Sequence, residues 1–331
     1  MKAIALISGG LDSILAARII KEQGIEVLPL NFKIPFCPRK KAGSPDNGIS
    51  SLVKRNLSEE LKVVDISADF LGLLLEPKYG FGSNMNPCID CKIFMLSKAR
   101  ELLQIMGAQF VVTGEVLGQR PMSQHRRALN LIEKESGLTG LLLRPLCAGL
   151  LPKTLPEKEG WVKRERLFKF SGRTRRPQMD LAQEFKMEHY PNAAGGCLLT
   201  DPGFSVRLKD LIKHQAFSLE NIGLLKIGRH FRLAENAKLI VGRNEEENKE
   251  LEAVSACGDY LFMPDEETAG PTCLGRGEFD DQLIKFSAQI VCHYCDLNGA
   301  VGAEIIYTHQ GVSYSAQAAP IAENRLTSLR I

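Results

Sequence analysis

Six residues near the N-terminus constrain this chain more than any others: Ser8-Gly9-Gly10-Leu11-Asp12-Ser13. They separate an apolar run, Ala3-Ile4-Ala5-Leu6-Ile7, from a stretch with Leu11, Ile14, Leu15, Ile19 and Ile20 along one side. The first run reads as a buried strand over 2–7 and the second as a helix over Leu11–Gln23. Two glycines at such a corner let the backbone curl tightly and bring its amides close to an anion. The helix N-terminus adds partial positive charge at the same place. Ser8 and Ser13 supply hydroxyls for phosphate oxygens. Asp12 would be repelled by bare phosphate and fits Mg²⁺ or water beside it. The plain alternative is a strand–turn–helix corner capped by Ser or Asp. No Walker-type lysine motif is present, so the loop is not built for γ-phosphate transfer.

The alternation continues. Ile25–Phe32, Leu61–Ile66 and Gln109–Thr113 read as strands, with helices near 49–60 and over Cys88–Met106 between them. Alternating strands and helices imply an α/β fold with a doubly wound parallel sheet, whose ligands sit beyond the C-terminal strand ends. Past residue 150 the alternation stops. A basic stretch runs to Tyr190-Pro191, and Phe204–His214 reads as one more helix. Strand-like words at Phe231-Arg232-Leu233, Lys238–Gly242 and Tyr260-Leu261-Phe262, with a helix over Asp281–Tyr294, suggest a second, smaller α+β domain. A length of 331 residues suits two domains. The expected division is 1–215, a linker at 216–227, and 228–331. No apolar run reaches membrane-spanning length, and the N-terminus lacks a cleavage site, so a cytoplasmic protein without membrane contact is expected. The nine cysteines are then thiols or metal ligands and not a disulfide scaffold.

Charge is uneven. Residues 1–200 hold 29 Lys and Arg against 20 Asp and Glu, whereas 201–331 hold 13 against 19. A polyanion is expected to dock mainly on the first part. The densest basic segment, 161–177, contains Lys163, Arg164, Arg166, Lys169, Arg173, Arg175 and Arg176, with Phe168 and Phe170 interleaved. It fits a surface that tracks phosphates better than a plain solvated face. Arg126, Arg127, Arg39, Lys40 and Lys41 extend it.

In Asn86-Pro87-Cys88-Ile89-Asp90-Cys91, Asn86 suits a helix N-cap and Pro87 the first helical position. Cys88 and Cys91 then share one face of the first turn, where a helix N-terminus lowers thiolate pKa. Cys197 follows the glycine-rich Ala194-Gly195-Gly196. Three cysteines from two segments can hold three irons of a four-iron cluster and leave one open; two buried small residues are the plain alternative. Cys292-His293-Tyr294-Cys295 falls late in an amphipathic helix without a second pair and reads as structural.

The hexapeptide at Ser8–Ser13 resembles the signature of the PP-loop ATP pyrophosphatase superfamily, whose members cleave ATP to AMP and pyrophosphate. The resemblance implies an ATP site at Ser8, Gly9, Gly10, Asp12, Ser13, Phe32, Thr113 and Gly114. Asn-Pro-Cys-x-x-Cys resembles the segment through which tRNA 2-thiouridylases pass a persulfide. Cys-x-x-Cys with a later third cysteine resembles cluster-dependent tRNA thiolation enzymes, where three cysteines hold a 4Fe-4S cluster that presents sulfide. Of the two, the cluster is the expected cofactor, on Cys88, Cys91 and Cys197, with a cysteine persulfide as the alternative. In similar thiouridylases the segment after the fourth strand lines the space between ATP and the target base, which points to Gln119, Arg120, Ser123 and Gln124. The words Val241–Asn248, Gly258-Asp259 and Gly270-Pro271 resemble the RNA-binding module of ribosome quality-control factors. The resemblances imply an ATP- and Mg²⁺-dependent tRNA sulfurtransferase whose catalytic residues are Asp12, Cys88, Cys91 and Cys197. Its partners would be tRNA and a sulfur donor, either sulfide or a persulfide carrier. A sulfur transferase or amidotransferase acting on a small metabolite, and an RNA-binding adaptor with a relict ATP site, remain as alternatives.

Overall fold

The computed structural model describes residues 1–37, 48–187, 190 and 196–331. Arg39, Lys40, Lys41, Ala194 and Gly195 lie outside the described residues. The chain divides into two compact units, Met1–Asp201 and Pro202–Ile331.

In the first unit, β1 (Lys2–Leu6) leads into α1 (Leu11–Lys21), β2 (Glu26–Lys33), α2 (Ile49–Leu57), β3 (Lys62–Asp65), α3 (Ser67–Leu75) and α4 (Cys88–Ile105). Then come β4 (Phe110–Val112), α5 (Arg126–Glu135), β5 (Leu142–Leu143), α6 (Leu155–Lys158) and α7 (Arg176–Glu184). Among the described residues the strands form one sheet in the order β3-β2-β1-β4-β5, with every pairing parallel. Alternation along β1 sends Ala3 and Ala5 to one face, with Leu11, Ile14 and Leu15 of α1. Ile4 goes to the other face, with Leu96 and Ala99 of α4 and Ile132 of α5. A strand buried on both sides must be apolar throughout, which is why β1 and β4 read as unbroken apolar runs.

β1 pairs with β2 on one side and β4 on the other. The chain therefore winds away from β1 in both directions, and the crevice beyond β1 and β4 is where ligands of such sheets sit. The glycine loop leaves β1 on this edge, and Thr113-Gly114 leaves β4. The two cross closely: a Cβ on Gly114 would stand 2.4 Å from the carbonyl carbon and oxygen of Asp12 and 2.5 Å from the Ser13 nitrogen.

The second unit contains α8 (Pro202–Lys213), α9 (Leu219–Leu224), β6 (Arg229–Ala234), β7 (Ala237–Val241), α10 (Glu245–Val254), β8 (Tyr260–Pro264) and β9 (Cys273–Gly277). It ends with α11 (Asp281–His293), β10 (Ala303–His309), β11 (Val312–Ala318) and α12 (Glu323–Leu329). Its antiparallel sheet has the order β11-β10-β8-β9-β7-β6 among the described residues. Ala288, Ile290, Val291 and Cys292 of α11 pack with Phe231, Leu239, Phe262 and Ile305. The division between units comes earlier than the sequence places it. Helix α8 belongs to the second unit because Asp210 accepts from Arg232 Nε at 3.1 Å and pairs with Lys238 Nζ at 3.4 Å, tying the helix to β6 and β7. Among the described residues no helix is long and apolar enough to cross a membrane.

Gly114→Ala puts a methyl group into backbone that has no side chain to swing aside. We expect it to destabilise the first unit by about 1–3 kcal/mol, as core overpacking does, measured by urea unfolding of the full chain. Wild-type stability for the variant would show that the loops do not press on each other.

Candidate functional site

The glycine loop is closed by its own serines. Ser13 Oγ donates to the Gly10 carbonyl at 2.8 Å and accepts from the Ser8 amide at 3.3 Å. The Gly10 amide donates to Ser8 Oγ at 3.4 Å. Gly9 has φ +78°, a conformation that strains residues with a Cβ. Gly10 occupies the cap position of α1, and Asp12 lies in its first turn.

Asp12 is held from a distant segment. Gln119 Nε2 donates to Asp12 Oδ2 at 2.8 Å, and Gln119 Oε1 accepts from the buried Gln178 at 3.2 Å. Asp12 Oδ1 is buried with no hydrogen-bond partner, and Arg175 Nη2 lies 3.9 Å from it. The Arg175 Nε is a buried donor without a partner. An unmet carboxylate oxygen beside a loop of amides suits a cation or an ordered water, so Asp12 fits the Mg²⁺ read from the sequence.

The thiols come together. Cys88 and Cys91 open α4, and Cys88 Sγ donates to Ser123 Oγ at 3.1 Å. Cys197 Sγ reaches the Phe36 carbonyl at 3.9 Å. Burial pushes the Cys91 thiol well above its ordinary value, and the neighbouring Cys197 and Cys88 add to the shift. Burial likewise pushes Cys197 up to about 11, with Cys37 and Cys88 adding to it. The expected lowering by the helix N-terminus is thus corrected for Cys91, because desolvating a thiolate costs more than the helix end returns. The cap is corrected too: Pro87 takes the N-cap position and Cys88 the first helical one, with no side-chain cap. Among the described residues no group of three His, Cys, Asp or Glu side chains is arranged to hold a metal ion. The thiols are neighbours without being a preformed ligand set.

One segment serves both halves of the site. From 113 to 124 the chain places Gln119 on Asp12 and Ser123 on Cys88. Arg120 lies near enough to Cys197 to oppose the rise of its thiol. Gln124 and Ser123 are buried, and the Gln124 carbonyl accepts from the Gly118 amide at 2.7 Å. Thr113 Oγ1 donates to Glu115 at 3.1 Å. Phe32 is buried in the apolar cluster with Leu30, Leu96 and Val111.

Two residues went unread in the sequence. Glu115 is 2% exposed and pairs with Lys92 at 3.0 Å and Arg144 at 2.9 Å. Burial alone would raise its carboxyl, but Lys92 and Arg144 outweigh that and hold it at about 2. Its sequence signal was a lone charge after an apolar strand. Cys37 follows the C-terminal end of β2, the ligand side of the sheet, and that position was its only signal.

The basic stretch is not one face. Arg164 pairs with Glu157 and donates to the carbonyls of Ala148 and Leu151. Arg166 donates to the Glu22 carbonyl at 3.0 Å, and Arg175 stands at Asp12. Lys163, Lys169, Arg173 and Arg176 are exposed. Phe168 and Phe170 lean on the core of the first unit. In the second unit, Cys292 Sγ donates to the Ala318 carbonyl at 3.2 Å and Cys295 Sγ to that of Val291 at 3.3 Å.

With this geometry in view, the similarities to known proteins have a place. Residues 1–150 match the family described as Thiamine biosynthesis protein (ThiI). Residues 228–330 match the NFACT protein RNA binding domain. The chain is similar to the tRNA-specific 2-thiouridylase MnmA of Pelobacter propionicus, 33% identical over 124 residues, covering 34% of this chain and 33% of that protein. It is also similar to a probable tRNA sulfurtransferase of Thermococcus kodakarensis, 27% identical over 145 residues, covering 44% of this chain and 36% of that one. The match thus spans about a third of the length of these curated relatives. A crystal structure of a 4-thiouridine synthetase–RNA complex with bound ATP aligns at TM-score 0.36 and 23% identity, covering 57% of this chain and 43% of that chain.

Glu115→Gln leaves the buried Arg144 and the half-buried Lys92 short of their counter-charge. We expect a loss of about 3–5 kcal/mol in urea unfolding at neutral pH. Because the folded carboxyl sits at about 2, below its ordinary 4.5, its stabilisation is complete above 4.5 and lost as pH falls toward 2. The gap between wild type and variant should close over that window; a gap independent of pH would assign the loss to packing.

Proposed function

We propose that the chain uses ATP to thiolate a uridine of tRNA. The observation that carries this reading is the 113–124 segment, which touches the anion loop through Gln119 and the thiols through Ser123. An activating nucleotide and a sulfur source then meet over one substrate atom. The similarity to tRNA thiouridylases and sulfurtransferases, and to an RNA-binding domain, points to tRNA as the carrier of that atom, and to the cytoplasm as the place.

ATP phosphates lie on the amides and hydroxyls of Ser8–Ser13, with Arg175 beside them. The uracil carbonyl oxygen attacks the α-phosphorus, and pyrophosphate leaves. The base now carries AMP on oxygen. A sulfur nucleophile at Cys88, Cys91 and Cys197 attacks the same carbon, AMP departs with the oxygen, and a thiocarbonyl remains. Mg²⁺, held by Asp12, would offset phosphate charge. Gln119 orients Asp12, and Gln178 orients Gln119. Three soft sulfur donors fit a 4Fe-4S cluster in kind and number; Cys88, Cys91 and Cys197 would hold it, and its open iron would supply sulfide. The persulfide route is favoured instead by the lack of a preformed ligand set among the described residues. On that route the terminal sulfur of one cysteine's persulfide attacks the carbon as AMP leaves, a second thiol cleaves the resulting S–S bond to release the thiocarbonyl, and the cysteine disulfide left behind is reduced by an external dithiol. The tRNA surface on the first unit would use its exposed basic residues, Lys163, Arg166, Lys169, Arg173 and Arg176.

With tRNA present, the products should be AMP and pyrophosphate; ADP and phosphate would sink the proposal. Asp12→Asn should cut turnover at least a hundredfold while the thermal midpoint stays near wild type.

On the cluster route, Cys→Ala at 88, 91 or 197 should lower iron uptake on anaerobic reconstitution and abolish thiolation, whereas Cys292→Ala should do neither. Thiolation from a persulfide donor by protein that takes up no iron would decide for the persulfide.

A further inference from the structure

The second unit carries an open cavity of about 630 Å³ that nothing above uses. Two of the three words of sequence that resemble an RNA-binding module, Val241–Asn248 and Gly270-Pro271, meet on it. Several residues of the first word have a positional task. Gly242 leaves room for Asn248: a Cβ there would stand 2.1 Å from Asn248 Oδ1. Arg243 Nε bonds Glu247 at 3.0 Å, and Asn244 caps α10 by accepting from the Glu247 amide at 3.0 Å. One wall is aromatic: the Arg229 guanidinium lies over the Tyr294 ring, 4.9 Å from its centroid. Such a stacked plane offers its other face to a flat ring.

The polar lining selects the edge of that ring. Asn248 Oδ1 and Asp265 Oδ1 are both buried acceptors with no hydrogen-bond partner. Leaving such atoms unmet costs about 1–3 kcal/mol each, and a ligand N–H offsets it. The charges also balance. Arg229, Arg243, Asp265 and Glu245 all line the cavity, with Arg243 already paired to Glu247 and Glu245 to Lys249, so a bare phosphate gains little, whereas a neutral ring with amino hydrogens meets unpartnered acceptors.

We propose that this cavity takes one unstacked RNA base carrying an exocyclic amino group, in preference to uracil. The proposal rests on the reading of the chain as an RNA-binding enzyme and adds a base-selective contact to it. Cytosine and uracil are the sharpest comparison, because they differ at one ring position: cytosine presents an amino donor where uracil presents a carbonyl acceptor. Against the Asp265 carboxylate, which can only accept, the first bonds and the second is repelled.

The test is fluorescence anisotropy of the full chain with labelled ten-nucleotide RNAs of cytidine or uridine at one fixed salt concentration. The cytidine RNA should bind about tenfold more tightly, the size of one good base-edge contact. Asn248→Ala and Asp265→Asn should each narrow that preference at an unchanged thermal midpoint. If Asn248→Ala fails to fold, Asp265→Asn carries the test, since an amide at that position can donate to the uracil carbonyl. Charge reversal at Lys163, Arg173 and Arg176 should weaken both RNAs alike and leave their ratio intact. Equal binding of the two RNAs, or a preference that survives both substitutions, overturns the pocket. If tRNA is still bound and thiolated in that case, the pocket alone has failed. If neither tRNA nor either oligonucleotide binds, the RNA reading has failed with it.

Discussion

The first unit is organised around one buried carboxylate. Glu115 accepts charge from Lys92 in the first turns of α4 and from Arg144 just past β5, and Thr113 donates to it from the end of β4. Lys92 is the residue after Cys91, so the pair sets where the thiol-bearing helix begins relative to the sheet. Arg144 in turn pairs with Glu133 of α5 at 2.8 Å. A buried ion pair is a poor source of net stability, but its geometry is exacting, because every unmet contact leaves a charge in low dielectric.

From Glu115 the chain runs straight into the segment that joins both halves of the site. Gly114, before it, lets the β4 exit lie against the backbone of Asp12. Gln119, after it, holds the Asp12 side chain, and Ser123 receives the Cys88 thiol. The contacts made by this one loop are polar and short-ranged, so its position fixes Asp12 and Cys88 together. Burial sets the thiols apart as well: it pushes Cys91 and Cys197 above their ordinary values.

The second unit uses its charges differently. Asp210 gathers Arg232 and Lys238 to fasten α8 to the sheet. Arg276 is spent on Asp259 and Glu220. Arg232, Lys238 and Arg276 are thus struts within the fold.

The alternation of apolar strands and helices was legible in residues 2–113, because strands buried on both faces must be apolar and their period is short. The glycine loop was legible for the same local reason. Polar strands were not: Cys273–Gly277 contains two glycines, and Val312–Ala318 is largely exposed, so neither shows a buried face in its sequence. Among the site residues, the sequence by itself determined the hexapeptide at Ser8 and the cysteine pair at the head of α4, since each is a local word whose chemistry depends on its neighbours in the chain. Only the tertiary structure decided that Arg175 leaves a basic stretch to stand at Asp12, that Arg164 and Arg166 are fastened to carbonyls and a carboxylate, and that a lone Glu115 is buried between Lys92 and Arg144. The reason is physical. A charge in sequence carries no record of its partner, and whether it faces solvent, substrate or a counter-charge is settled only when residues 29 to 163 positions apart are packed together.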